Sequence, residues 1–213
     1  MPATCALSTS DTGAAPKLDL CILGTLLALA NLPLLAGGVP TQLVLFPDRV
    51  AAGEWWRLLT HPFVHVSIYH LVLDGLAFLW LFGEIGEGNP WRRLTYLAGA
   101  AAGGAAAAWL GSSQLRELGL CGLSGVDHGL MAVLGLEVWR RDNSRLGAVI
   151  FGAVLLKALA EVSLGQALFA GLHLGNVGVP LVSCHLGGVL GATAAFAAGS
   201  LTRRAARVIR RRR

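Results

Sequence analysis

The sequence predicts an all-α membrane protein, a bundle of six transmembrane helices in one domain. Three observations carry this. Apolar residues make up 54% of the 213 positions and charged residues only 14%, against about a quarter charged in soluble domains. The apolar residues gather into six runs of near-spanning length, and a bilayer asks for about 20. Glycine occurs 28 times, and it is favoured where membrane helices pack closely.

In chain order the predicted spans are Leu18–Ala36, Val66–Ile85, Leu94–Leu110, Leu123–Trp139, Leu146–Leu164 and Pro180–Leu201. Residues 1–16 are polar and lack a basic stretch followed by an apolar run, so no cleavable signal is expected there. The first loop, Gly37 to His65, is long and carries Val-Leu-Phe-Pro and Trp55-Trp56. Tryptophan favours the headgroup level, so this loop is expected to lie partly in the interface. The third span holds an Ala/Gly run at Ala100–Ala108, read as a close-packing surface. The four cysteines, Cys5, Cys21, Cys121 and Cys184, have no close spacing, which fits neither a zinc site nor a small disulfide framework. Cys121 and Cys184 read as small packing residues, with a disulfide as the alternative.

Orientation follows from the basic residues. With six spans both termini share a side. That side takes Lys17, Arg92, Arg93, Arg140, Arg141, Arg145 and the seven tail arginines from Arg203 to Arg213, 13 of the 17 in all. The positive-inside bias puts this side in the cytoplasm. The tail reads as an anchor for anionic lipid, not as a nucleic-acid binder.

Polar groups inside spans are expensive and functional by default. Ser124 opens the fourth span within Gly122-Leu-Ser-Gly125. His185 lies about five residues into the sixth, roughly 7–8 Å deep at 1.5 Å per residue. His70 and Asp74 share a face of the second span. All three helices bring these groups to one leaflet. Ser124 reads as a nucleophile and His185 as its general base. The sixth span offers no acidic residue near His185, so a Ser–His dyad is expected. The Ser124 N–H, at a helix start with free donors, is one arm of an oxyanion site, and His70 with Asp74 the other. Gly187 and Gly191 form a small-xxx-small pair, expected to bring the sixth span against the fourth.

These residues, in this order, resemble the rhomboid intramembrane serine proteases. The matching positions are Trp56-Arg57, Thr60-His61, His65, His70-Leu-Val-Leu-Asp74, Glu87, Gly-Leu-Ser124-Gly with Gly129, and His185-Leu-Gly-Gly. They cover about residues 54–200. A single Gly-x-Ser-Gly is a weak signal, and the ordered set is a strong one. The resemblance implies a rhomboid-type bundle with Ser124 and His185 as dyad, and His70 with the position held by Asp74 at the oxyanion. It implies a catalytic domain over residues 18–201, flanked by cytoplasmic segments 1–17 and 202–213. It also implies a multi-pass protein of a bacterial inner membrane whose site opens to the periplasm. Rhomboids usually carry asparagine where this chain has Asp74. Either burial keeps Asp74 protonated so that it donates, or a charged Asp74 holds His70 as the donor, and the second is favoured. The His-x-x-x-Asp form is similar to the rhombosortase branch, linked to cleavage of C-terminal Gly-Gly-type sorting tails of secreted proteins. The implied partners are membrane-anchored protein substrates and the lipid bilayer.

Several residues have plainer readings. His128, one turn after Ser124, either stacks on His185 or competes with it as base, and Asp127 is its expected ion-pair partner. His61 and His65 read as structural, with His65 a possible support of the site. His173 reads as a loop histidine. Glu87 with Arg92 and Arg93 is expected to tie the second span to its loop. Lys157 and Glu161, spaced i and i+4, are expected to pair with each other. No cofactor is expected. The histidines with Asp74 raise the question of a metal, but no His-Glu-x-x-His occurs. The alternatives are a general rhomboid protease for single-span proteins and an inactive relative that binds clients.

Overall fold

The computed structural model describes residues 18–168, 172 and 175–211. The N-terminal segment 1–17, His173 and the side chains from Arg203 onward lie outside the described residues. Each predicted span coincides with a helix. Helix α1 (Leu18–Ala30) continues as a 3-10 turn over Leu32–Ala36 that ends on Gly37 at φ 75°, a left-handed stop that suits glycine.

The first loop is ordered by two short helices, α2 (Pro47–Ala51) and α3 (Arg57–Thr60). Arg57 is buried in it. Its Nη1 donates to the carbonyls of Thr41 and Val44, both at 2.6 Å, and it pairs with Glu54. Trp55 and Trp56 are exposed, as an interfacial loop requires. Helix α4 (Ile68–Glu84) begins at Ser67, whose Oγ accepts from the His70 N–H at 3.0 Å. That is an N-cap, satisfying one of the free donors of the first turn.

Helix α5 (Pro90–Gly111) is capped by Asn89 with Pro90 in its first turn, and a short α6 (Leu115–Leu118) follows. Helix α7 (Ser124–Asp142) stops at Asn143, φ 48°. Helix α8 (Arg145–Leu164) stops at Gly165, and α9 (Ser183–Arg211) closes the chain. The stretch leading into α7 is held to the first loop by a two-bond bridge between Leu45 and Leu120, at 3.0 and 2.9 Å.

Helix α7 is central, packed against α4, α5, α8 and α9, while α5 and α9 form the most extensive pair. Phe78, Phe82, Tyr96, Leu123, Leu130, Val133 and Ala192 fill the core. Leu76, Trp80, Val149, Leu156 and Leu190 point outward, an arrangement that is stable when the outside is lipid. Among the described residues, three helical segments are long and apolar enough to cross a membrane: Leu18–Ala36, Arg145–Leu164 and Ser183–Thr202. A fourth is added if Arg57–Phe63 and α4, bent by 94°, count together. Helices α5 and α7 fall short because one is rich in Ala and Gly and the other carries Asp127, His128 and Glu137.

The glycine expectation is corrected here. Gly187 and Gly191 face α5, where added Cβ atoms would strike the carbonyls of Gly103 and Gly99. The residue against α7 is Gly188, whose added Cβ would strike the Gly125 carbonyl oxygen. One residue is about 100° of helical rotation, so α9 uses adjacent glycines for two different neighbours. Glu87 lies 3.7 Å from Arg92, as expected, whereas Arg93 turns inward to Asp19 at 3.2 Å and to the Phe82 carbonyl at 2.6 Å.

Candidate active site

Helix α7 starts at Ser124, and its first turn abuts α9 with almost no side chain between them. An added Cβ on Gly125 would lie 2.9 Å from the Cys184 carbonyl, and one on Gly129 2.6 Å from that of Gly188. This closeness lets side chains from the two helices meet. The His185 Nε2 lies 3.2 Å from the Ser124 Oγ. The other ring nitrogen, Nδ1, lies 2.7 Å from the Oε2 of Glu161 on α8. A carboxylate accepts, so Nδ1 carries the proton and Nε2 presents its lone pair to the serine, the tautomer assigned from the network.

Glu161 is fully buried, and its Oε1 accepts from Lys157 Nζ at 2.6 Å and from the Leu168 N–H at 2.9 Å. The i, i+4 pair is therefore present, but it is half of what Glu161 does. His128 stacks on His185, ring centroids 4.1 Å apart and planes 7° from parallel. Its Nδ1 donates to the Ser124 carbonyl at 2.6 Å, and Lys157 Nζ donates to its Nε2 at 2.8 Å. Both His128 nitrogens are thus engaged away from the Ser124 hydroxyl. The partner expected for His128, Asp127, is replaced by Lys157, and Asp127 Oδ1 is buried without a hydrogen-bond partner.

The polar wall comes from α4. His70 Nε2 lies 3.0 Å from Asp74 Oδ2, which also accepts from the Leu123 N–H at 3.2 Å. His70 Nδ1 is buried and without a partner. Gly122 fits against this pair. Its φ is 97°, and an added Cβ would lie 2.9 Å from the His70 ring and 3.2 Å from Asp74. Only glycine accepts both demands. The Gly122 N–H donates to the His61 carbonyl at 3.2 Å. His65 is fully buried, edge-on to His70 at 4.8 Å, with its Nε2 3.8 Å from Asp74 Oδ2. Its own backbone N–H donates to the Asn31 side chain at 2.9 Å.

Ser124, His70 and Asp74 open onto a cavity of about 520 Å³. The rest of its lining is mostly apolar, from Val66 just before α4 and Leu73 on it, Leu118 and Leu120, and Leu168 and Val177–Leu181. Cys121 also lines it. This thiol lies between helices, and burial with the nearby Asp74 charge pushes it up to about 11, so it is no thiolate competitor of Ser124. Cys121 and Cys184 are free thiols.

Among the described residues, two sets have metal-ligand spacing, His65–His70–Asp74 and His128–Glu161–His185. In the second, the Lys157 ammonium already sits on His128 and Glu161, which opposes a further cation. In the first, Asp74 is already taken by His70 and Leu123.

The sequence reading therefore gathers Ser124, His185, His70, Asp74, His128, Gly122, Gly125 and His65 into one site. It missed Glu161 and Asn31. The signal for Glu161 was a carboxylate inside an apolar segment, which its local lysine seemed to explain.

A family model described as the Rhomboid domain matches residues 52–201. The chain is 26% identical over 177 residues to Rhomboid-like protease 2 of Toxoplasma gondii, covering 75% of this chain and 53% of that protein. It is 31% identical over 152 residues to Rhomboid protease GluP of Bacillus subtilis (strain 168), covering 70% of this chain and 27% of that protein. The chain thus spans about half the length of one of these relatives and about a quarter of the other.

Proposed function

The chain belongs to the rhomboid family, and from that premise we propose that it is an intramembrane serine endopeptidase. The observation that carries the reading is the Ser124 Oγ, 3.2 Å from His185 Nε2, with Ser124 lining a largely apolar cavity. Both relatives are named as proteases. Ser124 Oγ attacks the scissile carbonyl while His185 Nε2 takes its proton. The oxyanion forms beside the Ser124 N–H and His70. His185 returns the proton to the leaving amine, and water then hydrolyses the acyl-enzyme by the same exchange.

The apolar lining suits an apolar client segment, so the substrate class is the transmembrane segment of a membrane-anchored protein. Asp74 at the position usually held by asparagine favours the narrower reading, a rhombosortase-like enzyme that removes C-terminal Gly-Gly-type tails.

A fluorophosphonate tests the reading. It reports an activated serine, and a transporter or inactive client-binding relative has none. The purified chain in detergent is expected to react on the tryptic peptide bearing Ser124, with no adduct in Ser124→Ala. Absence of an adduct, or an adduct elsewhere, sinks the proposal.

The membrane arrangement is proposed to be six spans, with residues 1–17 and 202–213 in the cytoplasm and the cavity opening to the periplasm of a bacterial inner membrane. The distribution of basic residues motivates this. A topology reporter fused after Arg213 is expected to score as cytoplasmic, and periplasmic activity there would overturn the orientation.

A further inference from the structure

We infer that Glu161 is the positioning residue of the catalytic base, so that Ser124, His185 and Glu161 act as a hydrogen-bonded triad in place of the dyad the family resemblance implies. This rests on the protease reading above. The geometry is that of a base held by a third group. The imidazole has serine on one nitrogen at 3.2 Å and carboxylate on the other at 2.7 Å.

The triad is assembled from three helices. Ser124 comes from α7, His185 from α9 and Glu161 from α8. An ion pair with Lys157 would need only Oε1. The second oxygen is given to His185, across 24 residues of sequence. Every polar atom in the cluster has a stated partner. Lys157 bridges Glu161 and His128, His128 lies flat against His185, and the Leu168 N–H closes the last position on Glu161. A buried carboxylate is tolerated when paired and fully hydrogen-bonded, and the lysine supplies the pairing. When His185 takes the serine proton, the imidazolium forms against a carboxylate already in place, so no charge has to be moved at that moment.

Glutamine at 161 keeps the shape but changes this. Its amide NH2 turned toward Nδ1 favours the tautomer with the proton on Nε2, which cannot accept from serine. In a serine triad on another fold, the equivalent carboxylate-to-amide change lowers kcat by about 10⁴. The test separates the chemical step from binding, using fluorophosphonate inactivation of the full chain in detergent. Glu161→Gln is expected to lower kinact about 100-fold, with KI within about 2-fold. Glu161→Asp is expected to recover about 10-fold of that loss, since a carboxylate is restored.

If Glu161→Gln fails to fold, Lys157→Met with Glu161→Gln removes the ammonium left without its partner. That double variant is expected to unfold cooperatively and still react slowly. The inference is overturned if Glu161→Gln inactivates within about 3-fold of the unmodified chain. A loss confined to KI, equal rates for Gln and Asp, or full speed in the double variant overturn it too. If the unmodified chain itself does not react at Ser124, the protease reading fails first and takes this inference with it.

Discussion

Replacing Gly188 by valine is expected to abolish both the folded protein and its reaction at Ser124. A Cβ at this position would collide with the carbonyl oxygen of Gly125. The obstruction is backbone on both sides, so no rotamer relieves it, and α7 and α9 must separate. Overpacking of a close-packed core costs about 1–3 kcal/mol and occasionally more. A branched side chain against backbone belongs at or above the upper end. The separation also pulls His185 from a serine only 3.2 Å away. Gly152→Ala is the control. It lies in α8 with nothing within 4 Å of an added Cβ, and alanine in a helix interior is worth about 0.5–1 kcal/mol over glycine. Thermal unfolding in detergent checks both. A Gly188→Val protein with the Tm of the unmodified chain would mean that this contact does not hold the helices.

Replacing Asp74 by leucine is expected to slow the fluorophosphonate reaction about 10³-fold, at the upper end of what loss of one oxyanion donor costs. Asp74→Asn is expected to stay within about 10-fold of the unmodified chain. Asp74 Oδ2 faces the His70 Nε2 and accepts from Leu123, so this oxygen serves as an acceptor, and the proposed mechanism assigns the donor role to His70. What remains free is His70 Nδ1, buried and without a partner. In the proposed mechanism the carboxylate holds the ring, and the ring faces the developing negative charge. Asparagine can still accept from both neighbours through its amide oxygen, whereas leucine leaves the Leu123 N–H and His70 unpaired next to Ser124. Normal labelling of Asp74→Leu would show that α4 is not part of the oxyanion site.

Much of the site was legible because depth in an apolar helix can be counted. Ser124, His70, Asp74 and His185 are polar residues at matched distances from the same ends of their helices, and the structure brings them together. The helix positions followed from apolar runs, with ends set by Asn143 and Gly165 as left-handed stops. Rotation about a helix axis was harder to read. Gly187 and Gly188 differ by one position and serve different neighbours, and the composition of α9 does not say which faces α7. Glu161 was obscured for another reason. Its i, i+4 lysine accounts for a buried charge locally, and nothing in the spacing reveals that a carboxylate has a second oxygen to give. Asp127 shows the same limit from the other side, since its adjacency to His128 suggested a pairing that Lys157 takes instead.

The side chain of Asn31 bears on where this protein can be divided. It follows the last turn of α1 and is almost wholly buried. Its amide donates to the carbonyls of Leu27 and Phe63 at 2.8 and 2.6 Å, and its oxygen receives the His65 N–H. His65 in turn leans on His70. Among the described residues none of α1 lines the cavity, and the match to the Rhomboid domain model starts at residue 52. Yet one amide rivets this unmatched helix to the shoulder of the site. The edge of the domain match therefore runs through the middle of a single mechanical part, and a fragment cut along that edge would lose the bracket on which its own histidines hang.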